Sequence, residues 1–449
     1  MSSTSLFKKY DVPVPRYTSY PTVPYWKETP TVEIWTEHLN QALSKEDCTW
    51  SMYIHIPYCE SLCTFCGCNT IITKNHNLEK NYVDLILKEW KIYLDKSPEL
   101  INKPLKHLHL GGGTPTFLSS ASLEALLKPL LSVLKKDIHF EASIEVDPRK
   151  TSEEQLQTLK NLGFDRVSMG VQDFNPEVQR LINRIQPFDM TKKLTDYARE
   201  INYKSVNFDL IYGLAKQTED SFKWTIEKTL ELRPDRIALY SFALVPWIKP
   251  AQRLFKDEDL PVADEKRKLY ELARTLLIKN GYIEIGMDHF ALPDENLSLS
   301  LKSKNLHRNF MGYTDQKTDI LLGLGVSAIS ETPFSFHQNE KVFQIYENSI
   351  SKNNLATHRG HILSMTDIKR RQQILQLMTQ YEVQLESNHQ LEQAQVYLQE
   401  MINDNLVVID QNRIKMTSAG KPFLRNVCSF FDEHLQAHKP ETKIFSQSI

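Results

Sequence analysis

From about residue 50 to residue 245 the sequence repeats one pattern, in which a short β-rich run ends in Gly, Pro or Asp and a longer helical segment follows. Parallel strands require long crossovers, so a chain that alternates in this way has few options besides a parallel sheet with helices packed outside it. Six runs read as strands: Ser51 to Ile56, His107 to Leu110, Ser143 to Val146, Arg166 to Met169, Val206 to Ile211 and Arg236 to Phe242. Apolar residues spaced by three and four mark helices over Tyr82 to Leu94, Leu123 to Leu134, Glu154 to Leu162 and Phe222 to Leu232. Thr151 and Ser152, just ahead of Glu154, supply an N-cap signal. Six strands make most of a barrel. The expected fold class is α/β, a partial TIM-type β/α barrel of about six parallel strands.

The flanking regions read differently. Residues 1–45, with Pro13, Pro15, Pro21, Pro24 and Pro30, read as an irregular arm lying over the active site. Residues 46–360 hold the barrel and its extension. Residues 361–449 change to helices and a short hairpin, with Val407 to Ile409 and Arg413 to Met416 flanking a turn at Asp410-Gln411-Asn412. This is the pattern of a mainly helical, winged-helix-like domain. Residues 366–449 carry ten acidic and nine basic side chains with no basic stripe, so a packing or lid role fits better than DNA reading.

The whole chain has 54 Lys and Arg against 56 Asp and Glu, a balance that gives no pointer to nucleic acid or an anionic membrane as the main partner. The first residues lack a signal-length apolar stretch, and no segment reaches membrane-span length. The expectation is a cytoplasmic protein with reduced thiols, in which clustered cysteines serve a metal or cluster in preference to disulfides.

Four of the six cysteines, Cys59, Cys63, Cys66 and Cys68, fall within ten residues. Thiolates spaced by four and three residues can converge from one loop on an iron-sulfur centre and leave one iron open. Zinc, with His55 as a further ligand, and a redox pair of Cys63 and Cys66 are the alternatives. Only 14 residues are glycine, yet Gly111-Gly112-Gly113 directly follows the second strand. A tight turn accounts for part of that run, and close approach of a ligand to bare backbone N–H groups accounts for more.

The C-x3-C-x2-C spacing, with Phe65 ahead of the last cysteine and the loop following the first strand, resembles the radical S-adenosylmethionine (SAM) superfamily. Longer stretches resemble one of its families, the oxygen-independent coproporphyrinogen III oxidases. These are His55 to Asn69, Pro15-Arg-Tyr-Thr-Ser-Tyr-Pro-Thr22, Gly286-Met-Asp-His-Phe290, Leu306-His-Arg-Asn-Phe-Met-Gly-Tyr-Thr314 and Gly323-Leu-Gly-Val-Ser-Ala-Ile-Ser330. The resemblance implies an oxidoreductase of porphyrin and haem biosynthesis that converts coproporphyrinogen III to protoporphyrinogen IX. Two propionates are decarboxylated to vinyl groups through a 5'-deoxyadenosyl radical. It implies a 4Fe-4S cluster held by Cys59, Cys63 and Cys66, two molecules of SAM, a reductant such as flavodoxin or ferredoxin, and a monomer.

Residue by residue, the resemblance leaves Cys68 outside the ligand set and gives it, with Tyr53, a catalytic role. It assigns Tyr53, Gly112, Glu145 and Ile329 to the SAM on the cluster. Phe65, Gly113, Thr114, Gln172, Arg184, Asp209 and Ala243 go to the second. Many relatives carry Glu where this chain has Gly113-Thr114, which implies a different polar contact there. Carboxylates at barrel strand ends, as Glu145 and Asp209 are expected to be, can accept from ribose hydroxyls or an amino group. A substrate with four carboxylates calls for cationic anchors, and Arg16, Lys249, His289 and Arg308 lie in the family-like stretches. A haem-binding chaperone of the same superfamily is the alternative, but such relatives commonly lack the Gly67-Cys68-Asn69 continuation and the Arg16 to Thr22 motif present here.

Overall fold

Along the central strands polar and apolar residues alternate, as in Arg166-Val-Ser-Met-Gly170 and Val206-Asn-Phe-Asp-Leu210. Alternation sends successive side chains to opposite faces of a sheet. In the computed structural model, which describes residues 3–26, 29–438 and 445, the apolar set (Val167, Met169, Val206, Phe208, Leu210) is buried in the main core. Each such side chain taken fully out of water contributes about 1.5–3 kcal/mol. The polar set faces the barrel interior. Residues 1, 2, 27 and 28 of the expected arm, and those beyond His438 of the expected C-terminal domain apart from Phe445, lie outside the described residues.

Twelve strands form one sheet: β1 Trp50–Ile56, β2 Leu105–Gly112, β3 Lys136–Val146, β4 Arg166–Gln172, β5 Ser205–Tyr212, β6 Arg236–Ser241, β7 Ile283–Ile285, β8 His289–Ala291, β9 Ile320–Leu324, β10 Ile329–Glu331, β11 Ser335–Asn339 and β12 Thr357–Ile362. Their order is β12-β11-β10-β9-β1-β2-β3-β4-β5-β6-β8-β7. The run from β9 through β1 to β6 is parallel, and the strands beyond it at either end pair antiparallel. All six expected strands are present. The seventh parallel strand, β9, pairs along the far edge of β1, and the two ends of the sheet do not pair with each other, so the barrel stays partial.

Helices Leu78–Lys96, Ser120–Val133, Glu153–Asn161, Phe188–Glu200 and Glu219–Leu232 cover the outside. The expected Ser152 cap is a full capping box with Gln155, and Thr218 and Ser221 form another. The C-terminal region contains the expected hairpin, Val407–Asp410 with Arg413–Met416, joined by Glu382–Gln384 into a three-stranded sheet. The arm divides its packing. Tyr10, Tyr17 and Tyr20 belong to the apolar core of the C-terminal region, whereas Trp35, Leu39, Ala42 and Leu43 of helix Val32–Leu43 join the barrel core.

One buried carboxylate secures the seam between β9 and β1. Glu89 accepts hydrogen bonds from the backbone N–H of Gly325 at 2.8 Å, the Tyr346 hydroxyl at 2.7 Å and the Asn339 amide at 2.6 Å. Beside it, Tyr82 donates to the carbonyl of His55 at 2.7 Å and accepts from Val326 N–H at 3.0 Å, tying the end of β1 to the turn after β9. Burial pushes the Glu89 carboxyl up from 4.5 to about 7 against the pull of these donors. The folded protein therefore keeps a proton that the unfolded chain loses over that window, and stability falls as pH rises from about 4.5 to about 7. Glu89→Gln removes the titration. Denaturant melts at pH 5 and pH 8 are expected to show the wild type losing about 1–3 kcal/mol more than the variant between those two values. Equal losses would place the pH dependence elsewhere.

Candidate active site

The Cys59 to Thr70 loop leaves the barrel at the carboxyl end of β1 and is closed at its base. Tyr58–Cys59 and Ile71–Ile72 form a short parallel pair, with Ile71 N–H on the Pro57 carbonyl at 2.8 Å and Thr73 N–H on that of Cys59 at 2.9 Å. The His55 ring closes the base from below. Its Nε2 donates to the Asn69 carbonyl at 3.0 Å, which leaves Nδ1 to accept from the Tyr53 hydroxyl at 3.0 Å. Burial holds His55 below its ordinary pKa, in keeping with this neutral tautomer.

Three sulfurs on this loop each meet a donor. The Thr114 hydroxyl lies 3.3 Å from Cys59 Sγ, the guanidinium groups of Arg149 and Arg184 lie 3.5 and 3.7 Å from Cys63 Sγ, and the backbone N–H of Cys68 lies 3.4 Å from Cys66 Sγ. Donors and cations around sulfur favour thiolate. The Cys68 hydrogen bonds draw Cys66 down to about 6, whereas burial pushes Cys59 up to about 11, a proton that a bound metal would displace. Cys68 is exposed. The two arginines are themselves held by Asp147 just past β3, with Arg149 Nη2 at 2.7 Å and Arg184 Nη1 at 3.0 Å from Asp147 Oδ2. Burial alone would raise the Asp147 carboxyl, but Arg184 and Arg149 hold it below its ordinary value.

Strand ends converge above the loop on a cavity of about 560 Å³. Glu145 receives Gly112 N–H at 3.2 Å and stands 3.3 Å from His109 Nε2, and its carboxyl stays below the ordinary range because His109 and these donors outweigh burial. Asp209 accepts from Ser168 and from Asn207, both at 3.0 Å, yet burial, and then the charge of Glu145, push it up to about 6. The two carboxylates therefore differ, one ionised at neutral pH and one able to donate a proton nearby in pH.

The glycine run is shaped by the protein as much as by any ligand. A Cβ on Gly111 would meet the Glu145 carboxylate at 2.9 Å, one on Gly112 (φ +115°) the His55 ring at 2.6 Å, and one on Gly113 the Pro57 carbonyl oxygen at 2.7 Å. Gly112 and Gly113 still face the cavity. The run thus lets β2 lie directly against the cysteine loop, which sequence reading alone did not supply.

Cys59, Cys63, Phe65, Cys66, Cys68, Gly112, Gly113, Thr114, Glu145, Gln172, Arg184, Asp209 and Ala243 all line this one cavity, and so do Arg16 and His289. Four expected residues do not. Tyr53 lies behind the wall, stacked on His109 with centroids 5.9 Å apart; Ile329 packs on the Trp26 and Phe336 cluster; Lys249 donates to the Cys68 carbonyl at 2.7 Å; and Arg308 is buried over the Tyr313 ring, its guanidinium 3.9 Å from Asp288. The reading from sequence missed Asp147 and Arg149, His109, and the deeper pair Arg166 and Arg236, which meet Glu141 at 2.5 Å and Glu295 respectively. His109, Arg166 and Arg236 sit at alternating polar positions of β2, β4 and β6, which point to the barrel interior, whereas Asp147 and Arg149, past the end of β3, have no such signal.

The Radical SAM superfamily profile matches residues 53–229. Over 455 residues the chain is 38% identical to a protein of Escherichia coli K12 named oxygen-independent coproporphyrinogen III oxidase, covering 99% of this chain and 98% of that one. A protein of the same name from Synechocystis is 35% identical over 460 residues, covering 100% of this chain and 98% of that one. The solved coproporphyrinogen III oxidase of E. coli, described as a radical SAM enzyme, superposes with a TM-score of 0.89 at 38% identity, over 96% of this chain and 99% of that one. The chain belongs to the oxygen-independent coproporphyrinogen III oxidase family. Membership makes it a radical SAM oxidoreductase of porphyrin biosynthesis and implies a 4Fe-4S cluster and SAM. The donor set fits: three sulfurs on one loop, each beside a donor or cation, open onto a cavity lined by hydrogen-bonding groups. Among the described residues no helix is long and apolar enough to cross a membrane.

Proposed function

We propose that this chain converts coproporphyrinogen III to protoporphyrinogen IX in the cavity above the cysteine loop, where Cys59, Cys63 and Cys66 would hold the cluster and two SAM molecules would bind. The observation that carries the reading is the gathering, around one cavity, of the three cysteines with the seven positions expected at the second SAM. A cluster with one open iron, together with SAM, supplies when bound a 5'-deoxyadenosyl radical that takes a hydrogen atom from substrate. Each propionate in turn gives up that hydrogen from the carbon attached to the pyrrole, then carbon dioxide and one electron, which passes to an external one-electron acceptor, leaving a vinyl group.

The chain's own groups bind, orient and shield. Ionised Glu145 accepts from a SAM hydroxyl or amino group, and Asp209 offers a second such position on β5. Arg184, already fixed by Asp147 and by its 2.6 Å bond to the Gly170 carbonyl, presents its remaining surface to a SAM carboxylate. Tyr53 acts through the rings of His55 and His109, which it holds in place. Cys68, exposed next to the ligand loop, is proposed to face the reacting substrate and not iron. Of the four expected anchors, Arg16 and His289 line the cavity and meet substrate carboxylates, while Lys249 and Arg308 support from outside it, Lys249 by fixing the cysteine loop and Arg308 by backing Asp288. The arm bearing Arg16 covers the mouth and keeps water and oxygen from the radical. A reductant such as flavodoxin or ferredoxin, a monomeric state, a cytoplasmic location and no nucleic-acid partner complete the reading.

Anaerobic incubation of the cluster-reconstituted protein with coproporphyrinogen III, SAM and a reductant tests it. Protoporphyrin fluorescence after oxidation is the expected result. Tight haem binding with no conversion would instead favour the haem-chaperone reading, which the relatives named above do not support.

A further inference from the structure

Arg16 reaches the cavity from a segment with no helix or strand of its own. Between Tyr10 and Val23 the arm has no regular element longer than a single bridge residue, and Pro15 has no N–H with which to join a ladder. Its position must come from elsewhere. The guanidinium of Arg16 lies 3.5 Å from the Ser241 carbonyl and 5.9 Å from the centre of the Tyr240 ring, contacts too loose to fix a long side chain.

The fixing contacts come from the other end of the chain. On the short helix Leu424–Cys428, buried Arg425 donates from Nε to the Pro15 carbonyl at 2.9 Å and from Nη2 to the Val14 carbonyl, so one planar fork spans the two residues preceding Arg16. The next residue, Asn426, donates to the Tyr10 carbonyl at 2.8 Å, and Tyr17, immediately after Arg16, is buried in the same C-terminal core. A lysine could not make both forked bonds. Placing a guanidinium here is costly in isolation, since burial and then Arg16 push Arg425 down to about 9, and burial pushes neighbouring Lys266, bonded to the Phe242 carbonyl at 2.8 Å, down to about 8. Of these three cations only Arg16 lines the cavity that, on the proposed function, admits a tetracarboxylate.

We propose that Arg425 is a positioning residue for substrate binding: by clamping the Val14 and Pro15 carbonyls it sets the Arg16 guanidinium at the barrel mouth, where a substrate carboxylate is received. The C-terminal region then tunes substrate affinity without itself reaching the cavity. This rests on the proposed reaction, and the test separates the two.

The experiment is a double-mutant cycle on the reconstituted full-length enzyme, with Arg16→Ala, Arg425→Met, Arg425→Lys and the two double variants. KM for coproporphyrinogen III is measured against kcat, alongside iron content. If Arg425 acts through Arg16, Arg425→Met raises KM about tenfold, near the loss of one charged hydrogen-bonded contact, with a smaller change in kcat. In the Arg16→Ala background it adds less than twofold. Because Arg425 is buried, Arg425→Lys runs the same cycle with the charge kept and the fork lost, and is expected to raise KM in the wild-type background only. Additive KM effects in either cycle, or a KM unchanged by both Arg425 variants, overturn the assignment. A wild-type holoenzyme that does not convert coproporphyrinogen III would instead sink the reaction on which it rests.

Discussion

Replacing Cys59, Cys63 or Cys66 singly by Ser is expected to strip the reconstituted protein of its brown colour and most of its iron, and to lower turnover by more than the roughly 10–100-fold that loss of a supporting partner costs. A hydroxyl is a poor substitute for the soft thiolate that iron-sulfur chemistry needs. The three sulfurs are not equivalent in their surroundings. Cys59 is paired with a single hydroxyl, Cys66 with the thiol and backbone N–H of Cys68, and Cys63 with two arginines. Cys68→Ser is the contrasting case, since the residue is exposed and its backbone N–H to Cys66 survives the change, while a hydroxyl takes the place of the thiol that also bonds Cys66. That variant is expected to keep its iron and visible spectrum while losing turnover. Iron analysis with the visible spectrum checks both statements, and a Cys68→Ser protein without iron would return Cys68 to the ligand set.

The second large effect is at Asp147. Its two oxygens accept three bonds from the Arg149 guanidinium, with Nε at 3.0 and 3.2 Å and Nη2 at 2.7 Å, one from the Arg149 backbone N–H at 3.0 Å, and one from Arg184 at 3.0 Å. Arg149, Arg184 and Asp147 are all largely shielded from water. Asp147→Ala leaves two guanidinium groups side by side without their shared counter-charge, and breaking a buried pair in this way costs about 3–5 kcal/mol. The same arginines face Cys63, so cluster loading falls with stability. Denaturant unfolding of the metal-free protein isolates the stability term, and iron content after reconstitution reads the second. A loss below about 1 kcal/mol would mean that the arginines find solvent or other partners once Asp147 is gone, as exposed pairs do.

Both predictions depend on a site that was unevenly legible in the sequence. The cysteine spacing and the glycine run are local, and a local signal survives without knowledge of the fold. The six strands were likewise visible because each is a short β-rich run next to an amphipathic helix. The strand β9 was not, because Ile320-Leu-Leu-Gly-Leu324 follows the sixth strand by some eighty residues of sequence and gains its place only by pairing with β1. Asp147, Arg149 and His109 carry no motif of their own. They became part of the site because β2 and β3 end beside the cysteine loop.

Tertiary structure also redistributed residues that motifs had grouped. Lys249 and Arg308 look like Arg16 and His289 on paper, four cations in family-like stretches. In three dimensions Lys249 caps the cysteine loop and Arg308 backs Asp288, leaving Arg16 and His289 at the cavity. Tyr10, Tyr17 and Tyr20 of the arm are buried in the C-terminal core, which is how Arg425 comes to hold the segment around Arg16.

What the sequence determined by itself is therefore the chemistry: three thiols at cluster spacing, a barrel built from β-α units, and a family recognisable along nearly the whole chain. What only the tertiary structure decided is which charges face the reaction and which hold the walls. The physical reason is range. Ligand type and periodicity are set by neighbours a few residues apart, whereas the pairing of Asp147 with Arg184, of Glu89 with Gly325 and of Arg425 with Pro15 joins groups separated by 37, 236 and 410 positions, distances that only the folded chain closes.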